Sequence, residues 1–361
     1  MCESCGKPLT DFDAVNRIVV NRTSEQICPK PLSSSIGDKD IYRYHQLEED
    51  QIRLIALHPA EFHAELHCTI VRVSLNNLPP FEAVSYTWAN QSGDSTSQGH
   101  VLLGRARKSL PVTVNCEAVL RRLRLPNMNR LLWIDAICIN QTSKFTQERN
   151  HQVALMSRIY REAHTVLVYL GESTQSSNRL FEYLAMDEKQ MRGLRSLRND
   201  TMPSGICNDL SLLLRRPWFS RIWVLQEAAV ARRCNFICGT VFLDYNHLFL
   251  AVSWLLKSSP GSSKPCIFDL RNEHTINETL WDVLQSSQSC LCSEPQDRIY
   301  ALRGIVRDIR SDELLPDYTK SAEEVFVDVA KHLVRTYRSP NVLFLRTHRL
   351  RTPFPSWVPD F

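Results

Sequence analysis

LLWIDAICINQTSKFTQERNHQVALMSRIYREAHTVLVYLG, residues Leu131–Gly171, reads as a strand, a polar loop, a helix and a second strand. Leu131–Ile139 is apolar except for Asp135, with Cys138 near its end, which is the pattern of a strand buried on both faces. Asn140 and Gln141 break the run. Glu148 and Arg149 then open a segment whose apolar residues Val153, Met156, Ile159 and Tyr160 recur at helical spacing. Val166–Leu170 is apolar again, so a parallel, right-handed crossover is the expected topology. A carboxylate inside a buried strand is costly unless it is paired or stands at the strand's end. Asp135 is therefore the first candidate site residue.

Outward from this unit, Tyr42–Leu57 and Leu66–Ser74 read as strands, and Ala83–Trp88 as the strand that precedes a Ser/Gly-rich loop, Asn90–Gly99. Pro111 stands where a proline suits the first turn of a helix. Beyond Gly171, residues 172–214 read as a helical insertion with polar connections such as SLRNDTMPSG. Trp218–Ala231 predicts a helix, Asn235–Gly239 a short strand and His247–Lys257 a further helix. A helical tail follows over 241–361, with helices at Leu280–Gln288, Asp297–Val306 and Ala322–Tyr337. Residues 1–40 lack periodicity and read as a flexible leader, with one domain from 41 to 361 and its α/β core at about 81–240. The alternation predicts a three-layer α/β fold with a mostly parallel sheet. Ligands of such sheets sit outside the carboxyl ends of the strands, where Trp88, Asn140, Gln141 and Gly171 fall.

Composition narrows the function. The 361 residues are 43% hydrophobic and 23% charged, with a formal net charge of +4, as in an ordinary globular chain. Arg121, Arg122 and Arg124 form the densest basic cluster, on a helix that also faces a core, so no nucleic-acid partner is expected. No apolar run reaches the ~20 residues of a membrane span, and MCESCGKPLTDFD lacks the layout of a secretory signal. The expected location is the cytoplasm. Of twelve cysteines, Cys2 and Cys5 make a C-x-x-C, but no second pair has zinc spacing. Buried free thiols, no metal and no structural disulfides are the expectation.

Several residue types could carry chemistry. Asp135 could bond backbone amides or Arg149, or line a pocket as an acid or base. Cys138 with His151 is the minimum for a nucleophilic Cys–His pair, although nothing local activates it and small core filler is the plainer reading. Ser85 lacks the G-x-S-x-G turn of a hydrolase. Neither G-x-G-x-x-G nor a Walker-type phosphate loop is present, which disfavours Rossmann-type dinucleotide binding and ATP hydrolysis. Asp297 and Arg298 in EPQDRIYAL read as capping and clamping the tail helix, and Trp357 in PSWVPDF as docking the C-terminus.

WIDAICINQ and ERNHQVALMSRIYREAHTVLVYLG closely resemble the heart of the fungal heterokaryon-incompatibility (HET) domain. FEAVSYTWAN, LPVTVNCEAVLRRLR, RPWFSRIWVLQEAAVAR, EPQDRIYALRGI, PDYTKSAEEVF and PSWVPDF resemble that family's other blocks, in order. The family's glycine after the SYTW-type tryptophan is Ala89 here. The order of elements is also similar to that of TIR domains, which implies a TIR-like or flavodoxin-like core. In that likeness AVSYTW is the first strand, LLWIDAICI the second and HTVLVYLG the third. SRIWVLQEA resembles the TIR block in which a Trp precedes a catalytic Glu by four residues, here Trp223 and Glu227.

The HET resemblance implies a nonself-recognition protein whose domain triggers cell death when a partner or self-association brings copies together. The chain reads as a stand-alone copy. The TIR resemblance implies cleavage of NAD, as substrate and with no cofactor required. Glu227 would then stabilise the oxocarbenium-like state, or else sit in an ion pair with Arg221 or Arg149. Tyr86 and Trp88 could stack on a flat ring, with Asn140 and Gln141 offering amide contacts. Two alternatives stand beside this: a HET-like enzyme recruited to tailor a fungal secondary metabolite, whose small-molecule ligand enters an aromatic pocket, and a non-enzymatic interaction module.

Overall fold

Strand pairing starts later than the apolar pattern suggests, with β1 (Gln51–Leu57) and β2 (His67–Ser74) antiparallel from Gln51↔Ser74 to Leu57↔Cys68. The computed structural model describes residues 41–89, 93–142, 146–185, 202–258, 264–270, 278–338, 358, 359 and 361. The expected leader with Cys2 and Cys5, most of SLRNDTMPSG, and Trp357 lie outside them. Internal contacts group the chain into two units: Met1–Gln141 with Ala163–Gly171, and Thr142–Glu162 with Glu172–Phe361.

In the first unit, β3 (Glu82–Ser85) is shorter than Ala83–Trp88 and is followed by a hairpin that the sequence reading missed. Its strands are β4 (Gly99–Leu103) and β5 (Lys108–Val112), paired antiparallel from Gly99↔Val112 to Leu103↔Lys108. The connecting turn needs left-handed backbone at Gly104 (φ 68°) and Arg107 (φ 50°). Pro111 therefore lies in β5 and not in a helix; β5 is the outermost strand of this unit, where a missing N–H is tolerated. Helix α1 (Val114–Leu123) starts after Thr113, whose side chain accepts from Cys116 N at 3.1 Å.

The decisive stretch divides differently from its apolar pattern. Strand β6 ends at Trp133 (Arg130–Trp133), and Asp135–Cys138 forms a single helical turn, α2. Asp135 draws the chain into that turn, its Oδ1 accepting from Ala136 N at 2.7 Å. Helix α3 (Thr146–Glu162) buries Val153, Met156, Ile159 and Tyr160, as the spacing predicts. Strand β7 (Thr165–Tyr169) is buried throughout. Because β3 is parallel to both β6 and β7, those two run the same way with β3 between them, and the expected parallel crossover stands. The unit's strand order is β5-β4-β2-β1-β6-β3-β7. The α/β class holds; pairing is parallel around β3 and between β2 and β4, and antiparallel at β1–β2, β1–β6 and β4–β5.

Two ionic features fasten this unit. Glu82 on β3 and Arg130 on β6 form a two-pronged pair at 2.5 and 2.9 Å, each side chain 12% exposed. The basic cluster is spent internally: Arg124 donates to Glu65 O and Phe62 O at 2.8 Å, Arg121 to Ala64 O at 2.8 Å, and Arg122 lies 4.6 Å from the Phe62 ring centre. Those guanidinium groups hold the β1–β2 connection against α1.

The second unit carries α3 and the remaining elements. Helices α4 (Gln175–Leu184) and α5 (Ser204–Leu214) pack together. The expected Trp218–Ala231 helix is instead a 3-10 turn, Pro217–Ser220, followed by α6 (Val224–Ala229). A hairpin, β8 (Cys234–Cys238) and β9 (Val241–Asp244), leads into α7 (Tyr245–Ser258) and the short α8 (Ile267–Leu270). Phe236 is the centre of an aromatic core, 5.5 Å from Trp218 and 6.0 Å from Tyr245. The tail contains α9 (Leu280–Ser286), α10 (Asp297–Tyr300) and α11 (Ala322–Tyr337). Capping boxes at Thr279/Asp282 and Ser321/Glu324 set the starts of α9 and α11. The expected Asp297–Val306 helix is one turn long, and turns follow it over residues 301–305.

Candidate functional site

Adjacent parallel strands bring the carboxyl ends of β3 and β6 side by side. Past β3, Trp88 donates its indole N–H to Asp135 Oδ2 at 2.8 Å, and Gln141 Nε2 donates to Asp135 O at 3.2 Å. The turn that presents Trp88 is gripped by Asn115 of α1, whose Nδ2 lies 2.5 Å from Thr87 O and 3.1 Å from Thr87 Oγ1. The α2 turn is gripped from the other side. Arg53, 1% exposed, donates to Cys138 O at 3.1 Å and His45 O at 2.6 Å, while Tyr44 OH donates to Ile137 O at 2.9 Å. A buried guanidinium is tolerated here because carbonyls take its protons.

Of the sequence-predicted residues in this unit, Trp88, Asp135 and Gln141 therefore form one solvent-facing group, with Trp88 38% exposed. Ser85, Tyr86, Cys138 and Asn140 lie in the interior, each 2% exposed or less. Burial pushes the Cys138 thiol up to about 12, and its Sγ accepts from Ile134 N at 3.4 Å. Cys138 thus fills the core, in a setting that disfavours the thiolate a nucleophile needs.

The second unit builds a denser cluster. Trp223, at the N-cap of α6, donates its indole N–H to Asp297 Oδ2 at 2.8 Å, and Tyr318 OH donates to Asp297 Oδ1 at 2.7 Å. Arg149 of α3 lies 4.1 Å from the centre of the Tyr318 ring. Its neighbour Asn150 accepts from Tyr318 N at 3.2 Å and donates to Asp317 Oδ1 at 3.3 Å. Tyr300 OH donates to Asp317 O at 3.1 Å and meets Tyr318 edge-on at 5.4 Å. The turn after α10 comes so close that a Cβ on Gly304 would stand 2.2 Å from Ser157 Cβ on α3 and 3.0 Å from Gln226 Oε1.

Asp297 is 8% exposed. Burial raises its pKa, and the hydrogen bonds from Tyr318 and Trp223, with the charge of Arg149, oppose that rise. Burial, then the adjacent carboxylate, raises the Tyr318 phenol in turn. Arg149 and Trp223 were singled out in the sequence; Asp297 was read only as a cap, and Asn150 and Tyr318 were not singled out. Arg298 does act as the clamp expected of it, donating to Cys290 O at 2.8 Å and Ser287 O at 3.2 Å. Glu227 lies in α6, 2% exposed.

Four of the blocks quoted from the sequence thus meet at one carboxylate: ERNHQ supplies Arg149 and Asn150, SRIWVLQEA Trp223, EPQDRIYAL Asp297 and PDYTK Tyr318. Residues 81–227 match the profile of the family described as heterokaryon incompatibility protein (HET). A curated relative, the Neurospora crassa protein named heterokaryon incompatibility protein 6, OR allele, is 26% identical over 400 aligned positions covering 86% of this chain. The chain spans 57% of that relative's length. No solved structure matches. Among the described residues, no helix is long and apolar enough to cross a membrane.

Proposed function

We propose that this chain is an incompatibility-type effector, a HET-domain protein of fungal nonself recognition whose engagement triggers cell death. The observation that carries the reading is the HET match over residues 81–227, within a chain related over most of its length to a protein named for heterokaryon incompatibility. The Asp297 cluster supports it, because it joins blocks inside that match to blocks well beyond it. Residues 294–320 then belong to the same working unit as α6 and cannot be trimmed away as a tail.

The chemistry proposed for the effector is cleavage of the bond between nicotinamide and ribose in NAD. Breaking that bond develops positive charge on the ribose, which a nearby carboxylate stabilises. Glu227 is the carboxylate proposed for that work, one helical turn beyond Trp223. The test incubates purified protein with NAD, separates nicotinamide and ADP-ribose by chromatography, and runs Glu227→Gln alongside. Release that disappears in Glu227→Gln supports the cleavage. A protein that arrests fungal growth on induced expression but releases no nicotinamide removes the NAD chemistry and leaves the effector reading standing. Loss of both would return the HET-like tailoring enzyme and the interaction module to the front.

A further inference from the structure

Helix α6 is six residues long, Val224–Ala229, and carries Glu227 in its first turn. A helix shorter than about 12 residues is marginal by itself in water, so its direction is imposed by what grips it. Three grips act on it within the second unit. Just before the helix, Ile222 N donates to Leu291 O at 2.9 Å and Leu291 N to Ser220 O at 2.6 Å. At its start, the Trp223 indole is tied to Asp297 Oδ2 at 2.8 Å, and Glu227 N donates to Trp223 O at 3.2 Å. On its flank, Gln226 Oε1 lies 3.0 Å from the place a Gly304 Cβ would take. Two of these grips come from α10 and the turn that follows it.

Burying a carboxylate is costly, and an apolar side chain would cover the Trp223 ring without that cost. What the carboxylate adds is direction. One oxygen takes the indole N–H of Trp223 and the other the hydroxyl of Tyr318 at 2.7 Å. Tyr318 is itself fixed against α3, its N–H donating to Asn150 Oδ1 at 3.2 Å and its ring centre 4.1 Å from the Arg149 guanidinium. The rotation of the indole is thereby set relative to α3, and the Trp223 carbonyl passes that setting to the Glu227 backbone.

The geometry points to Asp297 as a positioning residue for Glu227, acting through the Trp223 indole to set the direction in which α6 carries its carboxylate. The assignment rests on the NAD reading of Glu227 and extends it, because it gives the segment after α9 a task in turnover as well as in folding. A positioning role depends on hydrogen-bond geometry and not on negative charge. Asp297→Asn can preserve that geometry, its amide oxygen accepting from Trp223 and its NH2 donating to a rotated Tyr318 hydroxyl. Asp297→Ala preserves neither bond.

The experiment measures nicotinamide release by the full chain against NAD concentration, at a temperature where circular dichroism shows each variant folded. Asp297→Ala should lower kcat by about tenfold or more with KM within about twofold of the parent, since misplacing a reacting group costs rate more than binding. Asp297→Asn should recover kcat to within about threefold. A folded Asp297→Ala with the parent's kcat confines Asp297 to stability and overturns the assignment. So does an Asp297→Asn as slow as Asp297→Ala, which would make the charge itself the agent. Should Asp297→Ala not fold, Trp223→Phe takes its place: it keeps the ring and loses the bond, and an unchanged kcat overturns the assignment equally. A parent chain that arrests fungal growth but releases no nicotinamide defeats the NAD reading separately. The brace is then read from growth arrest at matched soluble expression, lost in Asp297→Ala and kept in Asp297→Asn; arrest by Asp297→Ala equal to the parent's overturns it.

Discussion

Each unit contains an indole hydrogen-bonded to an aspartate at 2.8 Å, Trp88 to Asp135 in the first and Trp223 to Asp297 in the second. The two contacts are alike in length and unlike in setting. Trp88 is 38% exposed and its aspartate also accepts from the adjacent backbone; Asp297 is 8% exposed and takes a second side-chain bond from Tyr318, 21 residues away. In the open pair, water replaces whatever is lost, so the bond positions the ring without holding the unit together. In the buried pair, two half-buried side chains donate to a carboxylate that is itself almost wholly shielded from water. The same chemical contact is an adjustable presentation in one unit and a structural knot in the other.

The strongest test of that difference is Asp297→Ala. It leaves the Trp223 indole N–H and the Tyr318 hydroxyl, on half-buried side chains, without their acceptor, at about 1–3 kcal/mol each. A loss near 3 kcal/mol is expected, read as a lowered urea midpoint with an unchanged slope. A loss below about 1 kcal/mol, within the range of an exposed pair, would mean that the cluster opens to water. Trp223→Phe keeps the ring and removes one donor, and should lose about 1–2 kcal/mol through the carboxylate oxygen left short of a partner.

Acid should separate the units in opposite directions. In the first unit, burial holds His58 down to about 4 from an ordinary 6.5, against Thr69 Oγ1 at 2.8 Å and the His67 ring at 4.3 Å. Between those values the folded chain binds fewer protons than the unfolded one. The stabilising contribution is therefore present above pH 6.5 and is lost as pH falls through about 4. Asp297 has the reverse sign. Its folded pKa lies above the ordinary 3.8, so its contribution is present below pH 3.8 and is lost as pH rises through the raised value. Urea midpoints measured across pH 4–7 should show His58→Gln flattening the acid limb. Asp297→Asn should remove a fall in stability toward higher pH; if both variants shift the profile the same way, the contrast between the units is wrong.

The sequence made the open pair easier to anticipate than the buried one. Asp135 stood out because a carboxylate in an apolar run needs an explanation, and the strand-end rule placed Trp88 beside it. What the run concealed was where the strand stops: the three apolar residues of β6 and the largely apolar turn after Trp133 read as one run, and hydropathy cannot divide them. Asp297 lay in a polar block before an apolar helix, where capping is the ordinary explanation. Its partners are 74 and 21 residues away, and no local periodicity records a bond of that span. The β4–β5 hairpin was missed for a related reason: Pro111 fits a helix start locally, and only pairing with His100 reveals the strand. The quoted family blocks did mark the right segments, because those segments are what the cluster assembles.

The smallest expected change in stability belongs to Trp88→Phe. The substitution keeps the aromatic face and removes the donor to Asp135, whose oxygen can then bind water, so the cost should stay below about 1 kcal/mol. Its value lies in separating presentation from packing. If the first unit uses Trp88 to meet a ligand or partner, Trp88→Phe should weaken growth arrest or nicotinamide release while thermal stability stays within about 0.5 kcal/mol of the parent chain. Trp88→Ala should remove the response altogether and cost more stability than Trp88→Phe, since a ring 38% exposed still shields most of its surface. Equal activity in both variants would reduce the Trp88–Asp135 contact to a surface bond and leave the buried cluster as the region on which function depends.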